Sequence, residues 1–511
     1  MCGRGKINST LVADSSCKAS KIKLAEEETK MARVMFVTPD YHCGVVESAG
    51  KWLNCGFVTM AGELRKYGHE VKIYDAMTKN HRIDQIATNI AAWAPDWVVS
   101  TAYTPTIIAA SEALKKAKEL LPGVVTAIGG VHPTFCYQEV LETYPFIDYA
   151  VCGEGELTLA DLVNTVYNGG SPADVLGISY RDGDEIKKTA PRPFIEELDS
   201  LTPAWDLVEW KDYTYYIFPG SRLGVISSSR GCKHDCQFCS QQKFWHQSWR
   251  GRSAQSVLEE IRYLRETYGV DVVLFADEYP TCDRERWSAI LDGLIEANLG
   301  VKLLIETRVD DIIRDEDIMD KYRKAGIVHI YVGVEATSQT MLDRFKKGIL
   351  ENESKKALDL INRAGMVTET SFVLGTPEET KESIRQTLEL AKEYNPDFAH
   401  FLLLAPWSYA DMYEELRPHV ETFDYSKYNL VEPVIKPVAM TRDELFQEVL
   451  NCYQGYYFSK MGQWAKLKDP FKKEYLLRSM RVIMSNSFIT EHIPKLGSMP
   501  RKIKQMLKSI S

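Results

Sequence analysis

Three of the eleven cysteines crowd into one short stretch, Arg230-Gly231-Cys232-Lys233-His234-Asp235-Cys236-Gln237-Phe238-Cys239-Ser240. The spacing C-x3-C-x2-C lets Cys232, Cys236 and Cys239 reach one metal centre from a single loop. Ordinary electron-transfer [4Fe–4S] cubes take four cysteines, so three thiolates leave one iron open to a substrate or cofactor. A zinc knuckle is the alternative. It wants a fourth ligand, and His234 lies inside the spacer, poorly aimed for that role. The other eight cysteines (Cys2, Cys17, Cys43, Cys55, Cys136, Cys152, Cys282, Cys452) are dispersed and read as small buried hydrophobes. An odd total in a chain without a secretory pattern argues against a disulfide framework.

A second set of chemistry-bearing residues lies N-terminal to the cysteines. It comprises Ser100-Thr101-Ala102-Tyr103, Gly129-Gly130-Val131-His132-Pro133-Thr134 and Cys152-Gly153-Glu154-Gly155-Glu156. Each follows an apolar strand-like run, so all three crowd one sheet edge. Glycines there admit a bulky ligand close to the backbone, and small hydroxyls donate to its edges. Lone glycine pairs are weak signals, and any nucleotide-binding domain would fit.

The elements that position both sets alternate. Strands are read at 34–37, 70–74, 97–101, 124–128 and 149–152, with helices at 57–67, 83–93 and 107–121. This spacing predicts a doubly wound parallel sheet over 32–170, with its ligand crevice at the carboxyl ends of the strands. A Pro- and Trp-containing connector, 171–220, is expected on the surface. Six further β/α units follow within 221–430, with strands at 223–229, 272–276, 301–307, 329–334, 367–374 and 398–404. They predict a partial TIM barrel whose site lies at the strand carboxyl ends. Residues 431–511 read as a helical C-terminal region and 1–31 as a disordered leader, with Met31 a candidate start.

Bulk properties set the outer bounds. The 511 residues are 45% hydrophobic and 26% charged, with a formal net charge of -9, which excludes a disordered scaffold and argues against nucleic-acid binding. No apolar run reaches the roughly 18 residues of a membrane span, and the N-terminus lacks a signal-peptide core. A cytoplasmic enzyme is expected. Residues 455–511 carry 12 Lys/Arg against three Asp/Glu, a tail suited to an anionic propionate or an anionic membrane surface, or simply to solvent.

Residues 223–404 resemble the radical S-adenosylmethionine (SAM) superfamily, whose C-x3-C-x2-C signature is matched at Cys232, Cys236 and Cys239. The resemblance implies a six-unit partial barrel, a [4Fe–4S] cluster whose open iron chelates SAM, and release of a 5′-deoxyadenosyl radical on reduction. It places Phe238 near the adenine, Asp277 and Glu278 at the SAM amino group, and Arg308 and Glu335 at its carboxylate or ribose. Gly375, within Val373-Leu374-Gly375-Thr376-Pro377-Glu378, would let backbone approach the adenine. Joined to such a barrel, the N-terminal domain resembles a cobalamin-binding domain. Ser100, Thr101, Gly129, Gly130, Val131, His132, Gly153, Glu154 and Gly155 would then surround the nucleotide tail. Asp40-Tyr41-His42-Cys43-Gly44-Val45 lacks the glycine of a D-x-H-x-x-G motif, so His42 is not assigned to cobalt. No catalytic residue is assigned.

From about residue 33 to 480 the chain looks like the branch holding the anaerobic magnesium-protoporphyrin monomethyl ester cyclase and the bacteriochlorophyllide methyltransferases. The stretches that carry this are Phe238–Trp245, Ala276–Thr281, Pro406–Ser408 and Val434–Met440. Where the cyclase has a Trp-Pro-Pro run, this chain has Lys51-Trp52-Leu53-Asn54-Cys55-Gly56, which tilts the expectation to methyl transfer onto a bacteriochlorophyllide side chain. Oxidative ring closure of the porphyrin ester is the alternative, and a non-catalytic cobalamin or iron–sulfur protein the second. Expected partners are a tetrapyrrole and a low-potential flavodoxin- or ferredoxin-type electron donor. Phe244, Trp245, Trp249, Trp407 and Tyr409 are expected near the barrel mouth, where rings would stack on a macrocycle.

Overall fold

The computed structural model describes residues 31–42 and 49–486. The expected leader, apart from Met31, and the tail from 487 onward lie outside the described residues. The first sheet begins with β1 (Arg33–Val37), β2 (Glu70–Tyr74), β3 (Trp97–Thr101), β4 (Val125–Gly129) and β5 (Tyr149–Val151). Their order is β2-β1-β3-β4-β5 and all pair in parallel. This is a flavodoxin-like winding, with its switch point between β1 and β3. Helices cover both faces, so β1 is apolar after Arg33 and four of its five residues are buried.

The connector does more than wrap the surface. It adds β6 (Ile178–Asp182) and β7 (Glu185–Lys188) as an antiparallel hairpin on β5. It then buries Trp205, Trp210, Tyr213, Tyr215 and Ile217 in a core cluster shared by both sheets. The Trp205 indole donates to Glu260 beside the second sheet (3.1 Å), which satisfies its polar edge inside that core. An aromatic-rich linker that reads as irregular in sequence is here the mortar between two halves.

The second sheet holds β8 (Leu223–Ile226), β11 (Val272–Phe275), β12 (Lys302–Arg308), β13 (Ile327–Glu335), β14 (Val367–Leu374) and β15 (Phe398–Leu403). They are parallel and ordered β8-β11-β12-β13-β14-β15, an open six-stranded barrel. Between β8 and β11 a short ribbon of β9 (Ser229–Gly231) and β10 (Trp249–Gly251) brackets the three-cysteine loop. The intervening helices carry local stops. Ser253 caps Ala254–Tyr268 through Ser256 N–H, and Gly269 ends it in the left-handed region (φ 67°). The helix Arg442–Trp464 closes the open edge. Tyr457 and Tyr453 hydroxyls accept from the backbone N–H groups of Ala399 (3.3 Å) and Phe401 (3.2 Å) on β15. Among the described residues no helix is long and apolar enough to cross a membrane.

Candidate active site

The strand carboxyl ends of both sheets open onto one cleft of about 260 Å³. From the first sheet it is lined by Ser100, Thr101, Gly129, Gly130, Val131, Gly153, Glu154 and Gly155, all named in the sequence reading, together with Tyr103. Asn54, Cys55 and Gly56 line it too, so part of the 51–56 segment does face the barrel mouth. The barrel contributes Ser227, Arg230, Phe244, Trp245 and Glu278.

Each glycine in this wall differs in what it allows. Gly130 sits at φ 98°, and a Cβ there would come within 2.7 Å of the Ala102 carbonyl, so the backbone itself requires glycine. A Cβ on Gly129 would meet Val151 at an ordinary 3.6 Å and would take volume from the cleft instead. Ser100 is committed: its hydroxyl donates to the Val37 carbonyl (2.8 Å), tying β3 to β1. His132 departs from expectation. It does not line the cleft but is buried behind it, with Nδ1 at 3.1 Å from the Thr104 hydroxyl and its ring edge-on to Tyr425. Burial pushes its pKa down to about 4, so it stays neutral. His42 Nε2 lies 3.8 Å from Asp40, and the loop after it, residues 43–48, lies outside the described residues.

Glu154 lines the cleft, but its carboxylate is spent on a buried clamp. It accepts from Arg230 (2.7 Å), Arg250 (3.0 and 3.1 Å) and the Ile195 N–H (2.7 Å), while Glu156 takes the other arm of Arg230 (2.6 Å). Arg230 and Arg250 face each other across β9 and β10. Burial opposes the charge on Arg230, yet the two carboxylates outweigh it and hold the guanidinium charged. The clamp therefore pins the root of the cysteine loop to the first sheet.

The cysteine loop starts with another required glycine: a Cβ on Gly231 (φ 95°) would lie 2.1 Å from the Ser248 carbonyl. Cys236 is buried; Cys232 and Cys239 are half-buried. The loop is held by Gln237 N–H on the Phe345 carbonyl (3.0 Å) and Cys239 N–H on the Cys236 carbonyl (3.1 Å). Burial raises the Cys232 and Cys239 thiols, Cys239 to about 12; the His234 and Gln241 N–H groups respectively pull the other way, as do nearby cations. Among the described residues no three His, Cys, Asp or Glu side chains converge on a point where one ion could sit. The eight described cysteines are all free thiols. Cys282, dispersed in sequence, comes close enough to Cys232 for their charges to interact.

Of the expected SAM contacts, the structure separates Asp277 from Glu278. Asp277 is buried off the cleft, accepting from Ser228 N–H (2.7 Å) and the Ser228 and Ser229 hydroxyls (2.5 and 2.7 Å). It anchors the turn after β8. Glu278 lines the cleft, accepting from the Trp245 indole (3.0 Å) and Gly231 N–H (3.3 Å). Arg308 and Glu335 are joined through Lys347, which the sequence reading missed. Arg308 donates to the Lys347 carbonyl (2.7 Å), and the Lys347 ammonium pairs with Glu335 (3.0 Å). Glu335 adopts φ 67° where the β13–β14 register shifts. Phe238 packs edge-on to Phe345, and Gly375 (φ 87°) gives its N–H to Glu379 (3.2 Å). The mouth aromatics form a ladder across the two halves. Trp407 stacks on Tyr409, Tyr409 on Phe135, and Phe135 meets Phe244 edge-on; Trp249 instead gives its indole N–H to the Tyr279 carbonyl.

Residues 41–163 match the B12 binding domain family and 226–391 the radical SAM superfamily. The chain is 39% identical to the anaerobic magnesium-protoporphyrin IX monomethyl ester cyclase of Rubrivivax gelatinosus, over 89% of this chain and 83% of that one. The chain belongs to the cobalamin-dependent radical SAM family. This radical SAM protein is also 22% identical to the bacteriochlorophyllide d C-12(1)-methyltransferase of Chlorobaculum tepidum, over 85% of this chain and 89% of that one. Its fold superposes on the cobalamin-dependent SAM radical enzyme OxsB, solved with aqua-cobalamin and SAM, at a TM-score of 0.68 and 18% identity, covering 94% of this chain and 75% of that one. Its cofactors are cobalamin, a [4Fe–4S] cluster and SAM.

Proposed function

We propose that this enzyme closes the fifth ring of a magnesium-porphyrin monomethyl ester oxidatively, with water as the oxygen source, in chlorophyll biosynthesis. The observation that carries this is the 39% identity over 89% of the chain to a cyclase, against 22% to a pigment methyltransferase. It reorders the sequence expectation, which put methyl transfer first. Methyl transfer stays as the second reading because Asn54, Cys55 and Gly56, from the segment that departs from the cyclase pattern, line the cleft.

The residues divide the work. Cys232, Cys236 and Cys239 would hold the cluster. The β3, β4 and β5 ends, with Gly129 and Gly153 on the wall, would seat cobalamin. Bound there, the cofactors supply a hydrogen-atom acceptor, through SAM, and a one-electron acceptor, through cobalamin. Glu278 lies between the cysteine loop and the cleft, placed to accept from an ammonium group. Phe244 and Trp245 offer apolar faces for a flat ring. The Arg230–Glu154 clamp fixes the separation of the two cofactor seats. A low-potential donor of the flavodoxin or ferredoxin type would supply electrons from outside.

Anaerobic turnover with magnesium-porphyrin monomethyl ester and methyl-labelled SAM tests the reading. Unlabelled product that has gained oxygen and a ring is expected, with 5′-deoxyadenosine as coproduct. Label in the pigment together with S-adenosylhomocysteine would replace it with methyl transfer.

A further inference from the structure

The barrel is hollow where such barrels are commonly packed. On β12, β13, β14 and β15 the outward residues are fully buried beneath helices, as at Ile305, Val332, Thr370 and Ala399. The inward residues Glu306, Tyr331, Glu369 and His400 are the partly or fully exposed ones. Cross-strand register sets Glu306 beside Tyr331 and Tyr331 beside Glu369, one row across three strands. TIM-type interiors normally fill this level with branched apolar side chains. A row of ionisable groups around open space offers water several hydrogen-bond partners.

Most members of the row are already engaged. Glu369 hydrogen-bonds His400 and lies 2.9 Å from His329 Nε2. Burial would raise its pKa, but the two imidazoles hold it well below the usual carboxylate range. The Tyr331 hydroxyl donates to Ser371 (2.5 Å), and Ser371 to Glu335 (3.1 Å). Glu306 is different. Its carboxyl stands open to the lumen, is ringed by protein, and is hydrogen-bonded by no described residue. It faces Glu369 on β14, Glu335 on β13, and Glu278 and Asp277 at the end of β11, and Glu278 also lines the cleft.

We propose that Glu306 is the proton acceptor for the lumen water that supplies the product's oxygen. This rests on the ring-closure reading. The substrate carbon has by then lost a hydrogen atom to the adenosyl fragment of SAM and an electron to cobalamin. A lone pair of water forms the C–O bond; one O–H bond breaks, its electron pair stays on oxygen, and the proton passes to the Glu306 carboxylate. Charge, electrons and atoms balance without a further reagent. Burial first, then the facing carboxylates, pushes Glu306 up to about 7, which suits a group that takes and returns a proton near neutrality.

Two measurements test this. In isotopically labelled water, labelled oxygen incorporated per 5′-deoxyadenosine should fall about 100-fold in Glu306→Gln, with part of it restored in Glu306→Asp. An unchanged ratio in Glu306→Gln, while the wild type incorporates label, overturns the assignment alone. A wild type that methylates without gaining oxygen overturns both the assignment and the ring-closure reading. The second measurement needs no cofactor. A carboxyl raised in the folded state keeps a proton that the unfolded chain has released, so folded wild type loses stability as pH rises from about 5 to 8. Glu306→Gln lacks that loss and should melt higher than wild type at the upper pH, matching it at the lower. A difference that does not vary with pH would overturn the proposal.

Discussion

At the scale of single residues, the cleft assigns different consequences to neighbours that look alike in sequence. Gly129→Leu should weaken cobalamin binding at least about tenfold while leaving the melting temperature near that of the wild type, because its Cβ meets Val151 at ordinary distance. Gly130→Leu should unfold the domain before binding can be measured, since φ 98° and the Ala102 carbonyl exclude a side chain. Equilibrium titration with cobalamin beside thermal melts separates the two. Among the cysteines, Cys236→Ala is the informative change: it should abolish iron–sulfur absorbance and 5′-deoxyadenosine formation together. The cysteine cluster and the strand-end glycines could be picked out in sequence because each sits in a short contiguous segment that follows a strand. Glu306 and Lys347 were not. The first owes its role to register across three strands, the second to a loop that joins Arg308 to Glu335, and a lone sequence prints neither relation.

At the scale of elements, the parallel strands of both sheets were readable from apolar runs alternating with helical stretches, within a few residues at each end. The hairpin β6–β7 was missed because Ile178–Asp182 and Glu185–Lys188 sit in a stretch dominated by Pro and Trp signals. The clamp was missed for the same reason as Glu306. Glu154 looked like a ligand contact because it follows a strand, and only the β9–β10 ribbon brings two arginines to it. Removing one member of a buried charged set strands the others, at about 3–5 kcal/mol. Glu154→Ala should therefore lower the melting temperature of the cofactor-free protein by several degrees, on the order of 2–4 °C per kcal/mol. Lys116→Ala, at an exposed ion pair with Glu119 on the helix Ile107–Leu120, should move it by less than about one degree.

At the scale of the whole molecule, the described residues form one compact unit, and the core that fuses the two sheets runs through the connector. The aromatic ladder from Trp407 to Phe244 and the buried arginines cross the same seam as the cleft. Parting the sheets would break both at once, so the two halves do not act as jaws. On the ring-closure reading, a macrocycle as wide as a porphyrin would then enter and leave edge first, past the rim, rather than being engulfed. Traffic of this kind discriminates by cross-section before any contact chemistry is consulted: a planar pigment slides in edge first, while one folded or carrying a bulky out-of-plane axial group is turned away at the door.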